Sequence, residues 1–344
     1  TSTGFFARNM EMMPGNPNVI YLSTYSPGGS VAIYKSQDMG DSWKPVYSFS
    51  NVNRVVLSVT PNAPNNVYAL ASQASTNGFG GMFISEDQGE NWEQLTASPN
   101  ILGRDGNGTD VGGQGNYDLA LAVDPYDKDL VFAGGINLWK STSTGSGWDL
   151  SGHWTGSFGA DFIHADQHHL VYNPLNGILF SANDGGIYYS TNQGSKWVDI
   201  SEGLGIMQFY RISCSETDEK MVIGGSQDNG TNLQDNSGWS HVMGGDGMEC
   251  IIDYTNKNIV YGSYYNGEIM KSRNKGSDFN SFFGSADAGE SGAWVTPYII
   301  DPVNPNTIYI GYRNVWKVTG SKENKERISN FGANSALLSL AISK

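Results

Sequence analysis

The sequence predicts an all-β fold, a seven-bladed β-propeller that forms a single domain over residues 1–344. Two observations carry this prediction. The 44 glycines and the aromatic content of 12% favour short strands joined by tight turns. A motif of the form S-x-D-x-G-x-x-W also recurs, and its closing aromatic residues lie 40 to 56 residues apart, which is the length of one four-stranded blade.

The first two copies of the motif are complete, with all four fixed residues. A third copy has Asn192 in place of the aspartate. A glycine allows a tight turn, an Asp or Asn side chain can bond to the turn backbone, and the aromatic ring packs between sheets. We therefore interpret the motif residues as structural. The copies are 36–43, 85–92 and 190–197, with degenerate copies at 141–148 and 272–279 and a vestige that ends at Trp239.

The motif divides the chain into seven units, each with an apolar first strand, two further strands and a short fourth strand after the tryptophan. The seventh unit lacks the motif but keeps strand-like segments. The last apolar segment either closes the propeller or begins a partial eighth blade. The predicted blades are 4–50, 51–100, 114–156, 162–204, 207–244, 246–285 and 292–332, followed by a closing or extra strand at 336–343.

The formal net charge of −14 disfavours nucleic acid and anionic membranes as partners, because phosphate binding needs a basic surface. An acidic surface either keeps the protein soluble or attracts cations such as calcium. No segment approaches the roughly 20 apolar residues of a membrane span. The first eight residues do not look like a signal peptide, and the absence of an initial methionine suggests a processed product.

The two cysteines, Cys214 and Cys250, are too few for a disulfide scaffold or a four-cysteine zinc site. They occupy similar positions in consecutive repeats. A bridge between them and two separate buried thiols are both compatible with the sequence.

With these motifs, the chain resembles the Asp-box, or BNR-repeat, propellers, a group that includes sialidases, tandem-propeller xyloglucanases and the sortilin ectodomain. Four segments look like a bacterial sortilin-like branch that is often labelled glycosyl hydrolase, and they are 164–169, 183–186, 208–210 and 227–230. The resemblance implies an extracellular or cell-surface location within a larger secreted protein, with other domains of the same chain as partners. It does not imply one activity, because one fold hosts many functions.

The chain departs from the enzymes of this group in two ways. It lacks the early Arg-Ile-Pro segment of sialidases, and its nearest equivalent, Arg211 to Ser213, lies in the middle of the chain. The xyloglucanase-like members place an acid and a base on two propellers, whereas one propeller is predicted here. Sialidase activity is therefore disfavoured, and half of such a two-propeller clamp would be inert alone.

Five segments are expected to converge on one face over blades four to six, opposite the motif turns. They either lead into innermost strands or join second to third strands, and they are 161–169, 183–186, 227–230, 244–249 and 264–268. A general acid and a general base could arise from a carboxylate pair in this region. The alternative is ordinary turn chemistry with capping aspartates. The catalytic candidates are Asp166, Asp184, Asp228, Asp246 and Glu249.

Two further sets have metal-ligand chemistry. His164, Asp166 and His168 alternate, so an extended strand would place all three on one side and His169 on the other as a packing residue. They could bind a divalent metal or bond neighbouring blades. The loop residues Asp105, Asn107, Thr109 and Asp110 offer oxygen ligands for calcium, but the expected Gly at position 6 and Glu at position 12 are missing. A solvated glycine-rich loop is the alternative.

The loop at 102–116 is the longest connection, and long loops on a rigid scaffold often bind ligands. Aromatic residues outside the motif could stack on sugars or pack between blades. The ligand-binding candidates are His164, His168, Asn229, Tyr264, Tyr265, Glu268, Trp154 and Trp294.

Three functions remain open from the sequence. The first is a non-enzymatic binding or scaffolding module for a glycan or another protein. The second is a glycoside hydrolase that uses paired carboxylates, and the third is an architectural module of a surface assembly.

Overall fold

The computed structural model of the chain describes residues 6–25, 30–332 and 334–343. Within these residues, the strands form seven sheets of four or five strands, and strands that follow one another in sequence are neighbours. The predicted all-β, seven-bladed β-propeller fold class is confirmed. The chain divides into two compact units, Thr1–Leu204 and Gly205–Lys344. No helix among the described residues has the length and apolar character needed to cross a membrane.

The first unit contains four sheets. The first has β1 (Ala7–Met12), β2 (Ile20–Thr24), β3 (Ala32–Ser36) and β4 (Lys44–Ser48). The second has β5 (Val52–Thr60), β6 (Ala63–Gln73), β7 (Phe79–Ser85) and β8 (Glu93–Thr96). The third has β9 (Ala120–Val123), β10 (Val131–Gly134), β11 (Leu138–Ser141), β12 (Asp149–His153) and β13 (Asp161–Phe162). The fourth has β14 (Gln167–Tyr172), β15 (Leu179–Asn183), β16 (Gly186–Ser190) and β17 (Val198–Asp199).

The second unit contains three sheets. The fifth sheet has β18 (Phe209–Cys214), β19 (Val222–Ser226), β20 (Thr231–Asp235) and β21 (Gly238–Met243). The sixth has β22 (Cys250–Ile252), β23 (Val260–Tyr264), β24 (Glu268–Ser272) and β25 (Asn280–Phe283). The seventh has β26 (Tyr298–Ile300), β27 (Thr307–Gly311), β28 (Val315–Thr319) and β29 (Lys325–Arg327). Between strands lie a 3-10 turn, Tyr265–Gly267, and the short helix α1, Ser285–Ala288.

The recurring motif forms the same turn between the third and fourth strands of a sheet. In the second sheet, the Ser85 hydroxyl accepts the Gly89 amide at 2.8 Å and the Asp87 carboxylate accepts the Asn91 amide at 2.8 Å. Gly89 has a φ of +87°, a conformation that residues with a side chain rarely adopt. In the fourth sheet, Asn192 occupies the position of the aspartate, and its Oδ1 accepts the Lys196 amide at 2.9 Å. The structural interpretation of the motif is thus supported by its hydrogen bonds.

The apolar core lies between neighbouring sheets. One cluster in the first unit joins the first two sheets through buried residues such as Tyr21 and Phe83, and the next joins the second and third through Leu70 and Val131. Hydrogen bonds add to this packing, since the Ser23 hydroxyl donates to Val55 O at 2.7 Å and the Thr60 hydroxyl donates to Asp124 O at 2.7 Å. The second unit has apolar clusters of its own.

Three expectations need correction. No strand forms within the described residues 334–343, where the sequence predicts a closing or extra strand; the Leu337 amide donates to Tyr312 O instead. Asp161 lies in β13, which pairs in parallel with β12 of the third sheet and does not lead into the fourth. Cys214 and Cys250 are both free thiols, and Cys214 is exposed, not buried.

Candidate functional site

A group of hydrogen-bonded polar residues in the first unit surrounds the start of β14. We call it the carboxylate cluster, and it consists of Gln114, Tyr117, Asp118, Asp166, His168 and Asp184. The first three come from a turn at the end of the long 102–116 insertion, closed by the Asp118 amide donating to Gln114 O at 3.0 Å. Asp184 lies in the loop between β15 and β16. The insertion, the fourth sheet and the loop before β14 therefore supply one site together.

Asp118 and Asp166 form a carboxyl pair. Gln114 Nε2 donates to Asp166 Oδ1 at 3.0 Å and reaches Asp118 Oδ2 at 3.5 Å, and the two carboxyl groups are hydrogen-bonded to each other. Burial, reinforced by the charge of Asp166, raises the pKa of Asp118 to about 9. Burial also raises the pKa of Asp166, against the lowering effect of its bond to Asp118. At neutral pH, Asp118 thus holds a proton and donates it to the carboxylate of Asp166.

Asp184 is held by two neighbours in the same unit. His168 Nε2 lies 2.6 Å from its Oδ1, and the Tyr117 hydroxyl donates to its Oδ2 at 2.8 Å. The Tyr117 and His168 rings meet edge to face at 4.9 Å. One carboxylate oxygen of Asp166 and one of Asp184 lie within 4.8 Å of each other. The cluster thus places two half-buried carboxyl groups side by side with a tyrosine and a histidine.

The turn that carries Tyr117 and Asp118 is fixed by a buried arginine of β5. The Arg54 guanidinium donates to Tyr117 O at 2.6 Å and to Leu119 O at 3.4 Å. Burial lowers the pKa of Arg54 to about 10, so it stays charged at neutral pH. Sequence reasoning missed Arg54, Gln114, Tyr117 and Asp118. The length of the insertion was the only signal for Gln114, Tyr117 and Asp118, and there was none for Arg54.

The predicted alternation of His164, Asp166 and His168 along one strand is wrong. β14 begins at Gln167, Asp166 has a φ of +66°, and the pairing register shifts between Gln167 and His169. The His164 ring packs against Gly185, where a Cβ atom would lie 2.2 Å from the ring. His169 is exposed and is not a packing residue. The three residues therefore do not present a common ligand face.

The loop predicted to bind calcium uses its oxygen atoms internally. Asp105 Oδ1 accepts the Asn107 amide at 3.1 Å, and its Oδ2 accepts the amide and the hydroxyl of Thr109. Asp110 Oδ2 accepts the Asp105 amide at 2.7 Å. These carboxylates thus already accept hydrogen bonds within the loop, and the calcium site stays a prediction.

The second unit contains a group of aromatic residues that we call the aromatic platform, made of Tyr210, Gln227, Tyr265 and Trp294. The Tyr265 and Trp294 rings are stacked with centroids 5.1 Å apart and planes 5° from parallel. Both side chains remain accessible, at 47% and 48% exposure. The predicted aromatic candidates Tyr265 and Trp294 are thus brought together.

Hydrogen bonds orient the platform. The Trp294 indole N–H donates to the Tyr210 hydroxyl at 3.1 Å, which in turn donates to Gln227 Oε1 at 2.9 Å. The Asn266 amide, next to Tyr265, donates to Trp294 O at 3.3 Å. Tyr210 and Gln227 lie in the segments 208–210 and 227–230, but neither was among the predicted site residues.

The other predicted residues of the second unit have mainly backbone or ionic partners. Asp246 Oδ1 accepts the Asp228 amide at 3.0 Å, and Asn229 Nδ2 donates to Gln227 O at 3.2 Å. Glu249 lies 3.3 Å from Arg211 Nε, and burial raises its pKa. Glu268 Oε1 accepts the Ser285 amide at 3.0 Å. Asp246 thus caps the loop of Asp228, as the alternative interpretation of turn chemistry expects.

Two aromatic candidates lie outside both groups. Trp154 follows β12 in the first unit, is 43% exposed, and its amide donates to Asn137 Oδ1. Tyr264 is half-buried and lies beside Gly245 in the second unit. The predicted convergence of all five segments on one face remains a prediction.

No protein-family model matches the sequence, and a search of curated proteins found no match. Three solved structures are similar to the chain at low sequence identity. A GH74 enzyme from Niastella koreensis is 17% identical, with 97% of this chain and 53% of that chain covered and a TM-score of 0.43. YCF48 bound to a D1 peptide is 11% identical, with 89% of this chain and 90% of that chain covered and a TM-score of 0.40. A GH74 xyloglucanase from Xanthomonas campestris is 14% identical, with 93% and 52% covered and a TM-score of 0.44. The chain spans about half the length of the GH74 structures.

Proposed function

We propose that the chain is a non-enzymatic, glycan-binding β-propeller module that binds its ligand through the aromatic platform. The stacked, half-exposed rings of Tyr265 and Trp294 are the observation that carries the proposal. Aromatic rings offer flat apolar faces, and the C–H faces of a sugar ring can pack on them. Two large rings that remain exposed side by side form an apolar patch of the kind that marks binding sites on folded proteins.

The orientation of Trp294 supports the same proposal. Its indole N–H, the Tyr210 hydroxyl and the Gln227 side chain form a continuous chain of hydrogen bonds. A ring held in this way loses little conformational freedom when a ligand binds, and this improves affinity. The Gln227 amide belongs to a loop that also carries Asp228 and Asn229, whose polar side chains suit the hydroxyl groups of a sugar.

The proposal also includes the family and the location of the module. The repeated motif and its turn support membership of the Asp-box propellers. Members of that group often belong to large secreted proteins. We therefore place the module at the cell surface or outside the cell, with other domains of a longer chain beside it.

The test is a glycan array, with and without calcium, followed by titration of the bound glycan with wild type, Trp294→Ala and Tyr265→Ala. Each substitution should weaken binding at least tenfold, or about 1.4 kcal/mol. Trp154→Ala removes an exposed tryptophan outside the platform and should bind as wild type does. A glycan that binds both platform variants with unchanged affinity, or an array without any bound glycan, would overturn the proposal.

A second candidate is a glycoside hydrolase, because the carboxylate oxygens of Asp166 and Asp184 lie within 4.8 Å of each other. Retaining glycosidases use two carboxyl groups about 5 to 5.5 Å apart, one as nucleophile and one as acid and base. In hydrolysis assays on the glycans that bind, Asp166→Asn and Asp184→Asn should each abolish cleavage, whereas Asp246→Asn should not. Cleavage that survives the first two substitutions excludes this pair.

A further inference from the structure

A pocket of about 470 Å³ in the second unit lies beside the turns that follow β24 and β28. It is unusual for a chain of net charge −14, because three cationic side chains line it, Lys271, Arg273 and Lys322. Two carboxylates, Asp278 and Glu323, also line the pocket. The formal charge of the lining is therefore positive within an acidic protein.

Lys271 is the central feature of the pocket. Its side chain belongs to β24 and is only 7% exposed, and its Nζ lies 4.8 Å from the centre of the Tyr261 ring and 5.3 Å from that of Phe282. Among the described residues, this ammonium makes neither an ion pair nor a hydrogen bond. Burial, and then the charge of Arg273, lowers the pKa of Lys271. Ring faces alone compensate a buried cation incompletely.

The repeat shows which partner is missing. Lys35 and Lys140 occupy the same position as Lys271, immediately before the serine of the motif. Lys35 Nζ donates to Glu90 Oε1 at 3.0 Å, and Lys140 Nζ donates to Gln193 O at 3.3 Å. Both acceptors lie in the motif turn of the following sheet. The repeated lysine is thus ordinarily satisfied by the turn of the next blade.

The sheet that follows Lys271 lacks this motif. Its third and fourth strands, β28 and β29, are joined by residues 320–324, and among the described residues Lys271 makes no hydrogen bond or ion pair with this turn. Residues 320–323 of this turn form one side of the pocket. Where the motif is absent, a cavity therefore lies beside a lysine that has no hydrogen bond or ion pair among the described residues, although the charge of Asp253 acts to raise its pKa.

We propose that this pocket is an anion-binding site, in which Lys271 and Arg273 bind a singly charged oxyanion group, a sulfate ester or a carboxylate, of a small ligand. Its volume lies in the range of about 300 to 1,000 Å³ that is typical of small-molecule sites. Asp278 and Glu323 oppose a second negative charge, so a phosphate ester that is largely doubly charged at neutral pH is disfavoured. Asn280 and Ser281 line the same pocket and offer hydrogen-bonding groups to the rest of the ligand.

This site is separate from the aromatic platform. Lys271 lies near the end of β24 that leads into its motif turn, whereas Tyr265 lies before the start of the same strand. The two proposals can therefore fail independently. Trp294→Ala, which should impair the platform, should leave anion binding unchanged.

The experiment titrates the full chain with four probes, glucose 6-sulfate, glucuronate, glucose 6-phosphate and glucose, by calorimetry at low ionic strength. Glucose 6-sulfate and glucuronate should bind, glucose 6-phosphate should bind more weakly, and glucose should not bind at this site. Lys271→Met should weaken binding at least tenfold, and the exposed Arg273→Gln should weaken it severalfold. The matched control Lys140→Met should have wild-type affinity.

A second readout covers folding. Glucose 6-sulfate should raise the thermal unfolding midpoint of wild type and of Lys140→Met, but not that of Lys271→Met, because a ligand stabilises only the folded state that binds it. Equal affinity in wild type and Lys271→Met, or binding of none of the anionic probes, overturns the proposal. Tighter binding of glucose 6-phosphate than of glucose 6-sulfate overturns the assignment of a singly charged ligand.

Discussion

The carboxyl group of Asp118 is hydrogen-bonded to the carboxylate of Asp166, and Gln114 contacts both. The two aspartates are 48 residues apart, and they meet because the insertion before β9 turns back towards the start of β14. Such a pair shares a single proton at neutral pH. The free energy of unfolding of the protein must therefore depend on pH.

Asp118→Asn should make the protein more stable at high pH. Burial and Asp166 raise the pKa of Asp118 from 3.8 to about 9, so the folded state holds a proton that the unfolded state releases. Between these pKa values, a rise of one pH unit lowers the free energy of unfolding by at most about 1.4 kcal/mol. Asparagine keeps the donor but does not titrate. Urea unfolding at pH values from 4 to 9 should show that the free energy of unfolding of the variant increasingly exceeds that of wild type as pH rises. If the free energies of the two proteins plotted against pH ran parallel, the shared proton would be contradicted.

Lys271→Met and Lys35→Met should change stability in opposite directions. Methionine keeps the length of the side chain, and at position 271 it removes a buried cation that has no ion pair or hydrogen bond among the described residues, so the unfolding midpoint should rise by about 2 to 4 °C, or about 1 kcal/mol. At position 35, the same change breaks the ion pair with Glu90, and the midpoint should fall. Thermal scans of both variants at neutral pH and low salt check the signs. A fall in both would show that Lys271 is satisfied in the folded protein.

Ser143→Asp should stabilise the third sheet. Ser143 stands where the other copies have Asp or Asn, whose side chains accept the amide of the residue four positions later. An aspartate there should accept the Gly147 amide and raise the unfolding midpoint. Thr142→Asp adds the same charge at an exposed neighbour and serves as the control. An equal effect of the two substitutions would assign the gain to charge, not to the turn.

Tyr210→Phe should weaken glycan binding less than Trp294→Ala does. The substitution keeps the ring but removes the hydroxyl that accepts the Trp294 indole N–H and donates to Gln227. We expect the affinity to fall by about three- to tenfold. Binding kinetics should show this loss as a slower association rate or a faster dissociation rate. Tyr189→Phe in the first unit removes a tyrosine hydroxyl outside the platform and should have no effect. Unchanged affinity of Tyr210→Phe would show that Trp294 needs no support from Tyr210.

The sequence predicts the fold better than the site because the repeat is local and the site is not. Each motif copy makes its turn from bonds between residues two to four apart, such as Asp87 with Asn91, so a short window of sequence contains its chemistry. The contact between Tyr117 and Asp184 spans 67 residues and depends on how an irregular insertion folds back. Spacing alone does not reveal such a contact.

Local irregularity explains the remaining error. The alternation of His164, Asp166 and His168 assumes an extended backbone, but Asp166 is left-handed and β14 contains a register shift. Either feature is enough to change the side of the strand to which a residue points. In contrast, Tyr265 and Trp294 were among the candidates because aromatic residues that lie outside the motif, near predicted strand entries or loops, can be recognised in the sequence itself.

The lysine that reaches from one sheet to the turn of the next makes each blade depend on the blade that follows it in the chain. A turn in this chain serves its own blade and also neutralises a side chain of the blade before it, as Glu90 does for Lys35. Where the following unit lacks the motif, as it does after Lys271, the lysine makes no hydrogen bond to the next turn among the described residues and a pocket lies beside it. A different turn in one repeat can in this way create a recognition site at the edge of its neighbour, formed by residues of both repeats.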